Sequence, residues 1–514
     1  MQRTCAEIDR ILGTDPRFGS ADAIAARNTA RFRVGLRLLA RHHGSHAAEF
    51  RRIERLPDDA LRRVLYDPVL RNAFERDLNL LTVRPEDPST LALMLRQSPA
   101  NDAGFGPCEA LMDVHHQPWA DLGPAWTWTS TLPEEAHPLL TALGRRRDDV
   151  FAEMGADRRV VPDAETLAAL TRGARLLAEL LPHSGAGALR HVALVGFAEG
   201  EEEDGSVHSF ACGDRLPSAL FLSPEALRDP WKVAELLFHE ALHLKMFDIM
   251  RTGALVSDIG RMTGTPPWRV VDWNLRRVYS SLHVYGHMVL FFAAAAAAPA
   301  DLRRRYGEPL APDSVGMVTP GSAASADGTY TTSEERTRYL AHRALETHAD
   351  ALTPDGRALV TWMLDALEPL LPGVVAPEPS PSRSSAAPSA PARAVEPAES
   401  APAAGYRQCR PVTVLPLAEQ GMLLAAAPAT HRMHWLNSRA WLVYALCDGR
   451  DAARLEQDYH RAAPDDPDGL AVALAALQQA GLIAPVRGSA ARKRSAKQEE
   501  KEAVKEAVPE GALR

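Results

Sequence analysis

The run Asp229-Pro-Trp-Lys-Val-Ala-Glu-Leu-Leu-Phe-His239-Glu240-Ala-Leu-His243-Leu-Lys-Met-Phe247 decides how the chain is read. Asp229 can accept hydrogen bonds from the free amides of a helix start, and Pro230 suits the first turn. Val233, Leu236, Leu237, Ala241, Leu244 and Phe247 then recur at helical spacing, which predicts an amphipathic helix. On that helix His239 and His243 stand one turn apart on one face, where both imidazoles can reach a single transition-metal ion. Glu240 sits beside them, able to act as a base on metal-bound water or to orient a ligand. With 18 His and 66 acidic residues in 514, chance supplies fewer than about 0.1 such motifs, so a metal centre is expected here.

Upstream, Val192-Ala-Leu-Val-Gly-Phe, Val207-His-Ser-Phe-Ala and Ala219-Leu-Phe-Leu-Ser are short β-type runs separated by acidic, Gly-containing turns, so a small sheet should precede the metal helix. Downstream, the third ligand decides the chemistry. A metzincin needs Gly and His where this chain has Met246 and Ile249. A gluzincin needs a later glutamate, and none occurs between Glu240 and Glu308. His283 and His287, four residues apart, share a helical face and are the next candidates, with Asp248, Asp258 and Asp272 as possible carboxylate ligands.

The whole chain fits a mainly α protein of several domains. Thr166–Leu181 and Thr332–Leu352 carry apolar residues at helical spacing. Between Ala376 and Ala404, 23 of 29 residues are Pro, Ala or Ser, a segment unable to bury enough surface to offset its chain entropy. The expected organisation is a helical N-terminal region at 1–150, a metal-binding domain at 151–372 that can be continuous with it, a linker at 373–405, a small domain at 406–487 and a charged tail at 488–514. Thr319–Thr332 reads as a polar loop. A net charge of −8 argues against nucleic acid or an anionic membrane as the main partner. Five cysteines without a CxxC pair fit free thiols in a reducing compartment. The N-terminus lacks the apolar core of a signal peptide, and the apolar run Met288–Ala298 is short of the about 20 residues that span a bilayer. It reads as a buried helix, and the protein is expected to be cytoplasmic.

Three stretches in the middle of the chain resemble the HExxH-type peptide-modifying proteins of ribosomal natural-product pathways. They are Leu237-Phe-His-Glu-Ala-Leu-His-Leu-Lys with the preceding Leu220-Phe-Leu-Ser, then Pro267-Trp-Arg with Val284-Tyr-Gly-His287, and Leu352-Thr-Pro-Asp-Gly-Arg-Ala-Leu-Val. Together they span about residues 190–370. Members of that family are understood as iron- and 2-oxoglutarate-dependent peptide β-hydroxylases. The resemblance implies His287 as third ligand beside His239 and His243, with His283 as fallback. It also implies Arg276 as a holder of the 2-oxoglutarate carboxylate, although Trp273-Asn-Leu-Arg276-Arg277 departs from the family's Arg-Pro pattern.

Tyr406–Val486 reads as a separate α+β domain. Arg410–Leu417, Met422–Ala426 and Thr430–Trp435 are expected strands, Ser438–Leu446 a helix capped by Asn437, and Cys447-Asp448-Gly449 a turn. Helices near Ala452–Tyr459 and Leu470–Ala480 and a closing strand at Gly481-Leu-Ile follow. Leu436-Asn-Ser-Arg-Ala-Trp-Leu-Val-Tyr-Ala-Leu-Cys-Asp-Gly449 and Leu477-Gln-Gln-Ala-Gly-Leu-Ile resemble the winged-helix-like PqqD-type leader-peptide recognition domains. That resemblance implies an extended leader peptide added to the strand edge at His431, Arg432, Met433, His434 and Trp435.

The leading expectation is therefore an Fe(II)/2-oxoglutarate-dependent enzyme that hydroxylates a precursor-peptide side chain at Cβ. The alternatives are a zinc peptidase with Glu240 as general base and a non-enzymatic peptide carrier with a structural metal.

Overall fold

The motif helix forms as its sequence requires. It runs Pro230–Thr252, and Asp229 Oδ1 accepts from the amides of Trp231 (2.7 Å) and Lys232 (3.2 Å). The computed structural model describes residues 3–371 and 405–486, apart from 84–87, 98–99, 102–103, 106–118, 120–124, 137, 203–204, 207–208, 259, 270–271, 310–329, 411–412, 465 and 467–468. Nearly all of the linker 373–405, most of the loop 319–332, Cys108 and the tail 488–514 lie outside the described residues. The chain divides into two compact units, Met1–Pro381 and Ser382–Arg514, at the Pro/Ala/Ser-rich segment.

In the first unit the motif helix is the central element. It packs against helices Ala21–His42, Ala164–Leu180 and Leu275–Ala296. Gly173 permits the close crossing of the second of these, since a Cβ there would stand 2.3 Å from Val233 Cγ1. Helix Leu275–Ala296 begins at Asn274, whose side chain accepts from the Arg277 amide at 2.9 Å. It absorbs most of the apolar run at 288–298, and among the described residues it is the one helix long and apolar enough to cross a membrane. Of its most apolar window, 83% is buried inside the protein, so it is a core helix, as the sequence suggested.

The expected small sheet is present before the motif helix, with five strands rather than three. Leu194–Glu199 is central and pairs in parallel with Ala219–Leu222, Leu194 opposite Ala219. Ser209–Ala211 pairs antiparallel on the far side of Ala219–Leu222, Ser209 opposite Leu222. The other side of Leu194–Glu199 is shared by Trp126–Thr127, parallel, and Arg158–Val160, antiparallel. Two- and three-residue strands carry no readable alternation, which is why the last two escaped the sequence reading. Leu194–Ala198 and Ala219–Leu222 are buried at every position, as strands covered on both faces must be.

The division at residue 150 falls inside helix Pro138–Met154, and the residues on either side belong to one compact unit. Thr332–Leu352 is not one helix: Ser333–His342 passes into a π-turn at Arg343–Thr347 and a short 3-10 turn at Ala349–Ala351.

The second unit has two three-stranded antiparallel sheets. One orders Thr413–Leu417, Met422–Ala426 and Met433–Leu436. The other places Gly405–Gln408 between Asp448–Asp451 and Ile483–Val486. Asp448-Gly449, expected as a turn, instead opens a strand, with Gly449 at φ +105° accommodating a bulged register opposite Gly405–Arg407. Helices Ser438–Leu446, Ala452–Ala462 and Gly469–Gln479 match the expected positions within a few residues. Their core joins Leu436, Val443, Leu455, Tyr459, Leu477 and Leu482.

Candidate metal centre

His239 and His243 are half-buried on one face of the motif helix, with ring centroids 5.1 Å apart, and Glu240 is buried beside them. One ligand atom from each of the three lies within 4.8 Å of the others, and among the described residues no other group of His, Cys, Asp or Glu converges in this way. The set fits a transition metal: two neutral imidazoles and one carboxylate.

Two of these side chains, His243 and Glu240, are held by hydrogen bonds from outside the helix. Ser280 Oγ, on the facing helix, is 2.7 Å from His243 Nδ1, which leaves Nε2 for a metal. Ser209, on the sheet's edge strand, donates its hydroxyl to Glu240 Oε1 at 2.7 Å. Burial pushes the Glu240 carboxyl up to about 7 against the opposing hydrogen bonds of Ser209 and the Ala211 amide. Burial lowers His243 to about 4, helped by the charges of Arg277 and Arg269. His239 is driven well below its ordinary range by burial, then by His243, Arg269, Lys232 and Arg336. Both imidazoles are therefore neutral at physiological pH, the form in which an imidazole can ligate a metal.

His287 and His283 lie outside the converging group. His287 packs against Phe238 (6.3 Å between rings) and His283 (4.3 Å). Its Nδ1–H donates to the His283 carbonyl at 2.8 Å. Phe238 is turned about 100° round the helix from His239, so this contact draws His287 to a different face. The three aspartates are occupied elsewhere. Asp258 accepts from the Gly260 amide at 3.0 Å, and Asp272 accepts from the Thr265 hydroxyl. Asp248, in the last turns of the motif helix itself, is buried. It receives Arg71 Nη2 (2.5 Å), His191 Nδ1 (2.7 Å) and Arg251 Nη1 (3.1 Å), while Asn28 Nδ2 reaches its carbonyl at 3.1 Å. Burial alone would raise this carboxyl, but the Arg71 charge and the His191 hydrogen bond hold it well below the usual range. Asn28 and Arg71 show what the first 150 residues supply: they anchor the last turns of the motif helix.

Arg276 does not face the metal group. It is ion-paired with Asp214, and its guanidinium lies 4.9 Å over the Phe247 ring. The cation that sequence reading missed is Arg336, from helix Ser333–His342. It is 6% exposed and sits over Trp268 (5.3 Å) and Tyr285 (5.2 Å), donating to Tyr285 Oη (3.0 Å) and the Tyr330 carbonyl (2.9 Å). Among the described residues it has no carboxylate partner and its Nη2 makes no hydrogen bond. The Tyr285 ring stands 6.3 Å from His239, so this guanidinium is one aromatic ring away from the metal group. Nothing local in Glu334-Glu-Arg336-Thr marks that residue out; only the fold brings it here.

Behind the motif helix, Lys245 Nζ, both His283 nitrogens and the Nε2 atoms of His287 and His191 are buried and unpartnered among the described residues. Burial lowers Lys245 to about 8, against the attraction of Asp9 and Asp15.

In the C-terminal unit, Met433–Leu436 is an edge strand, paired on one side with Met422–Ala426. Of the five residues expected there, Met433, His434 and Trp435 are on this strand and half-buried. His431 and exposed Arg432 belong to the preceding turn, with His431 at φ +56°. No protein-family model matches the chain, and no curated protein matches it.

Proposed function

We propose that this chain is an Fe(II)/2-oxoglutarate-dependent oxygenase that hydroxylates a side chain, at Cβ, of a ribosomally made precursor peptide. The observation that carries the reading is the donor set. If Glu240 acted as a base, the described residues would leave the metal two protein ligands, fewer than the three that catalytic zinc sites keep. With Glu240 as a ligand, the set becomes two histidines and one carboxylate, the arrangement that suits ferrous iron and leaves positions open for an oxo acid and dioxygen. Bound iron would supply the oxygen chemistry, coupled to oxidation of 2-oxoglutarate. The chain's own residues do the rest. His239, His243 and Glu240 hold the ion, Ser280 and Ser209 fix the orientation of His243 and Glu240, and Arg336 takes the role first expected of Arg276, holding the free carboxylate of the oxo acid.

The partner in this reading is the leader of the precursor peptide, added as a further strand to the open edge of Met433–Leu436. Leader capture by the small unit raises the effective concentration of the core peptide at the metal group. The reading also keeps the protein in the cytoplasm, where ribosomal precursors are made.

One observation favours a zinc peptidase instead. A buried carboxyl near neutral pKa beside two imidazoles suits a general base on metal-bound water. The two readings separate in one experiment. Protein loaded anaerobically with ferrous iron, then given 2-oxoglutarate, oxygen and its cognate precursor, should yield a peptide heavier by one oxygen atom. It should consume 2-oxoglutarate in step. A cleaved peptide that requires zinc and no oxygen refutes the oxygenase. H239A should lose turnover and keep leader binding.

A further inference from the structure

One helical turn beyond His243 the surface opens into a cavity of about 540 Å³. Phe247 joins it to the metal group: its ring stacks on His243 at 6.3 Å and lines the cavity wall. The opposite wall is helix Pro68–Val83, which contributes Glu75, Arg76 and Leu80, and Arg146 reaches in from helix Pro138–Met154. Both carboxylates of the cavity are already engaged. Glu75 is gripped by both Arg31 guanidinium nitrogens at 2.6 and 2.7 Å, and Asp214 is paired with Arg251 at 2.8 Å and with Arg276. Two lining cations are left. Arg76 is exposed and has no ion-pair partner among the described residues. Arg146 has only a 3.5 Å contact to Asp149 on its own helix.

The lining therefore joins apolar Phe247, Met250 and Leu80 to two cations without a strong ion pair, in a chain whose net charge is −8. Such a local reversal of sign attracts an anion to one place rather than to the surface at large. The volume suits a side chain with its adjoining backbone. The distance from His243 to Phe247 is one turn, about 5–6 Å of helix. An extended peptide covers that in about two residues. We infer that this cavity is the docking site for an acidic side chain of the peptide substrate, a few residues away from the one that is modified. The inference rests on the peptide-modifying reading above. It gives the N-terminal helices a second role, since helix Pro68–Val83 forms a wall of the substrate cleft as well as supplying Arg71.

Fluorescence anisotropy with labelled peptides and the full chain tests it. A fluorescein-tagged Gly-Glu repeat should bind about tenfold more tightly than the matching Gly-Gln repeat. R76E/R146E should abolish that preference, R76K/R146K should retain it, and H239A should leave it unchanged. Equal binding of the two peptides, or a preference that survives R76E/R146E, overturns the inference. So does displacement of the Gly-Glu peptide from H239A by 2-oxoglutarate, which would assign the cavity to the free oxo acid. Peptide oxidation is read separately by mass. A Glu preference without any oxidised product removes the oxygenase reading and leaves the cavity assignment standing. An oxidised product without a Glu preference does the reverse.

Discussion

Metal binding at the His239–Glu240–His243 group should be controlled by a single proton. His243 titrates at about 4, and burial drives His239 well below its ordinary range, so near neutral pH neither imidazole has a proton to lose. Glu240 does, because burial pushes its carboxyl up to about 7 in the metal-free protein. At pH 6 about one tenth of that carboxyl is ionised, and at pH 5 about one hundredth. A metal that needs the carboxylate must displace the proton, so affinity should be level above about pH 8 and fall about tenfold per unit below pH 7. Calorimetric titration of the apoprotein with ferrous iron, under anaerobic conditions and in buffers of different ionisation enthalpy, measures both quantities. Proton release per metal should rise from about zero at pH 8 to about 0.9 at pH 6. E240Q removes the titrating group, so its binding should be weaker at pH 8 and nearly independent of pH. A wild-type affinity that is flat from pH 5 to 8, or a slope that persists in E240Q, would refute the assignment of Glu240 as ligand.

Three further outcomes follow from the surroundings of the site. D248N leaves Arg71 and Arg251 buried without their carboxylate and should cost about 3–5 kcal/mol, measured by denaturant unfolding of the first unit; a loss under about 1 kcal/mol would contradict it. Because the folded-state pKa of Asp248 is depressed, its stabilisation is present above the ordinary carboxylate range and fades as the pH falls below it. K245M should raise the melting temperature at pH 6–7, since it removes a buried ammonium with no partner among the described residues. The folded pKa of Lys245 is lowered, so the gain should shrink between about pH 8 and 10.5 and vanish above; a gain unchanged at pH 11 would show that packing, not charge, is responsible. R336M should raise the KM for 2-oxoglutarate about thirtyfold with a smaller change in kcat, and R336K should recover part of it. An unchanged KM would remove Arg336 from cosubstrate binding.

How far the sequence reached differs from element to element. The motif helix was legible end to end because everything that fixes it is local: the Asp229 cap, Pro230 in the first turn, and a 3.6-residue apolar period that puts His239 and His243 on one face. The buried strands Leu194–Glu199 and Ala219–Leu222 were legible as apolar runs bounded by turns. Trp126–Thr127 and Arg158–Val160 were not, being too short to repeat a two-residue alternation, and Asp448–Asp451 looked like a turn because its glycine allows both.

The sequence by itself therefore determined the His239–His243 pair on one helix face, the helix that carries it, the sheet before it and the break between the two units. Tertiary structure alone decided the rest of the site. His287 shares a helix face with His283, as its spacing requires, yet the crossing of two helices packs His287 against Phe238, outside the converging group. Arg276 points to Asp214 and the cavity, while Arg336, from beyond the next stretch of chain, arrives over Tyr285. Ser209, Asn28 and Arg71 reach the motif helix from an edge strand and from two N-terminal helices. Periodicity fixes which residues share a face within one element. The crossing and rotation of one element against another are set by side-chain packing across long sequence separations, and no local pattern encodes them.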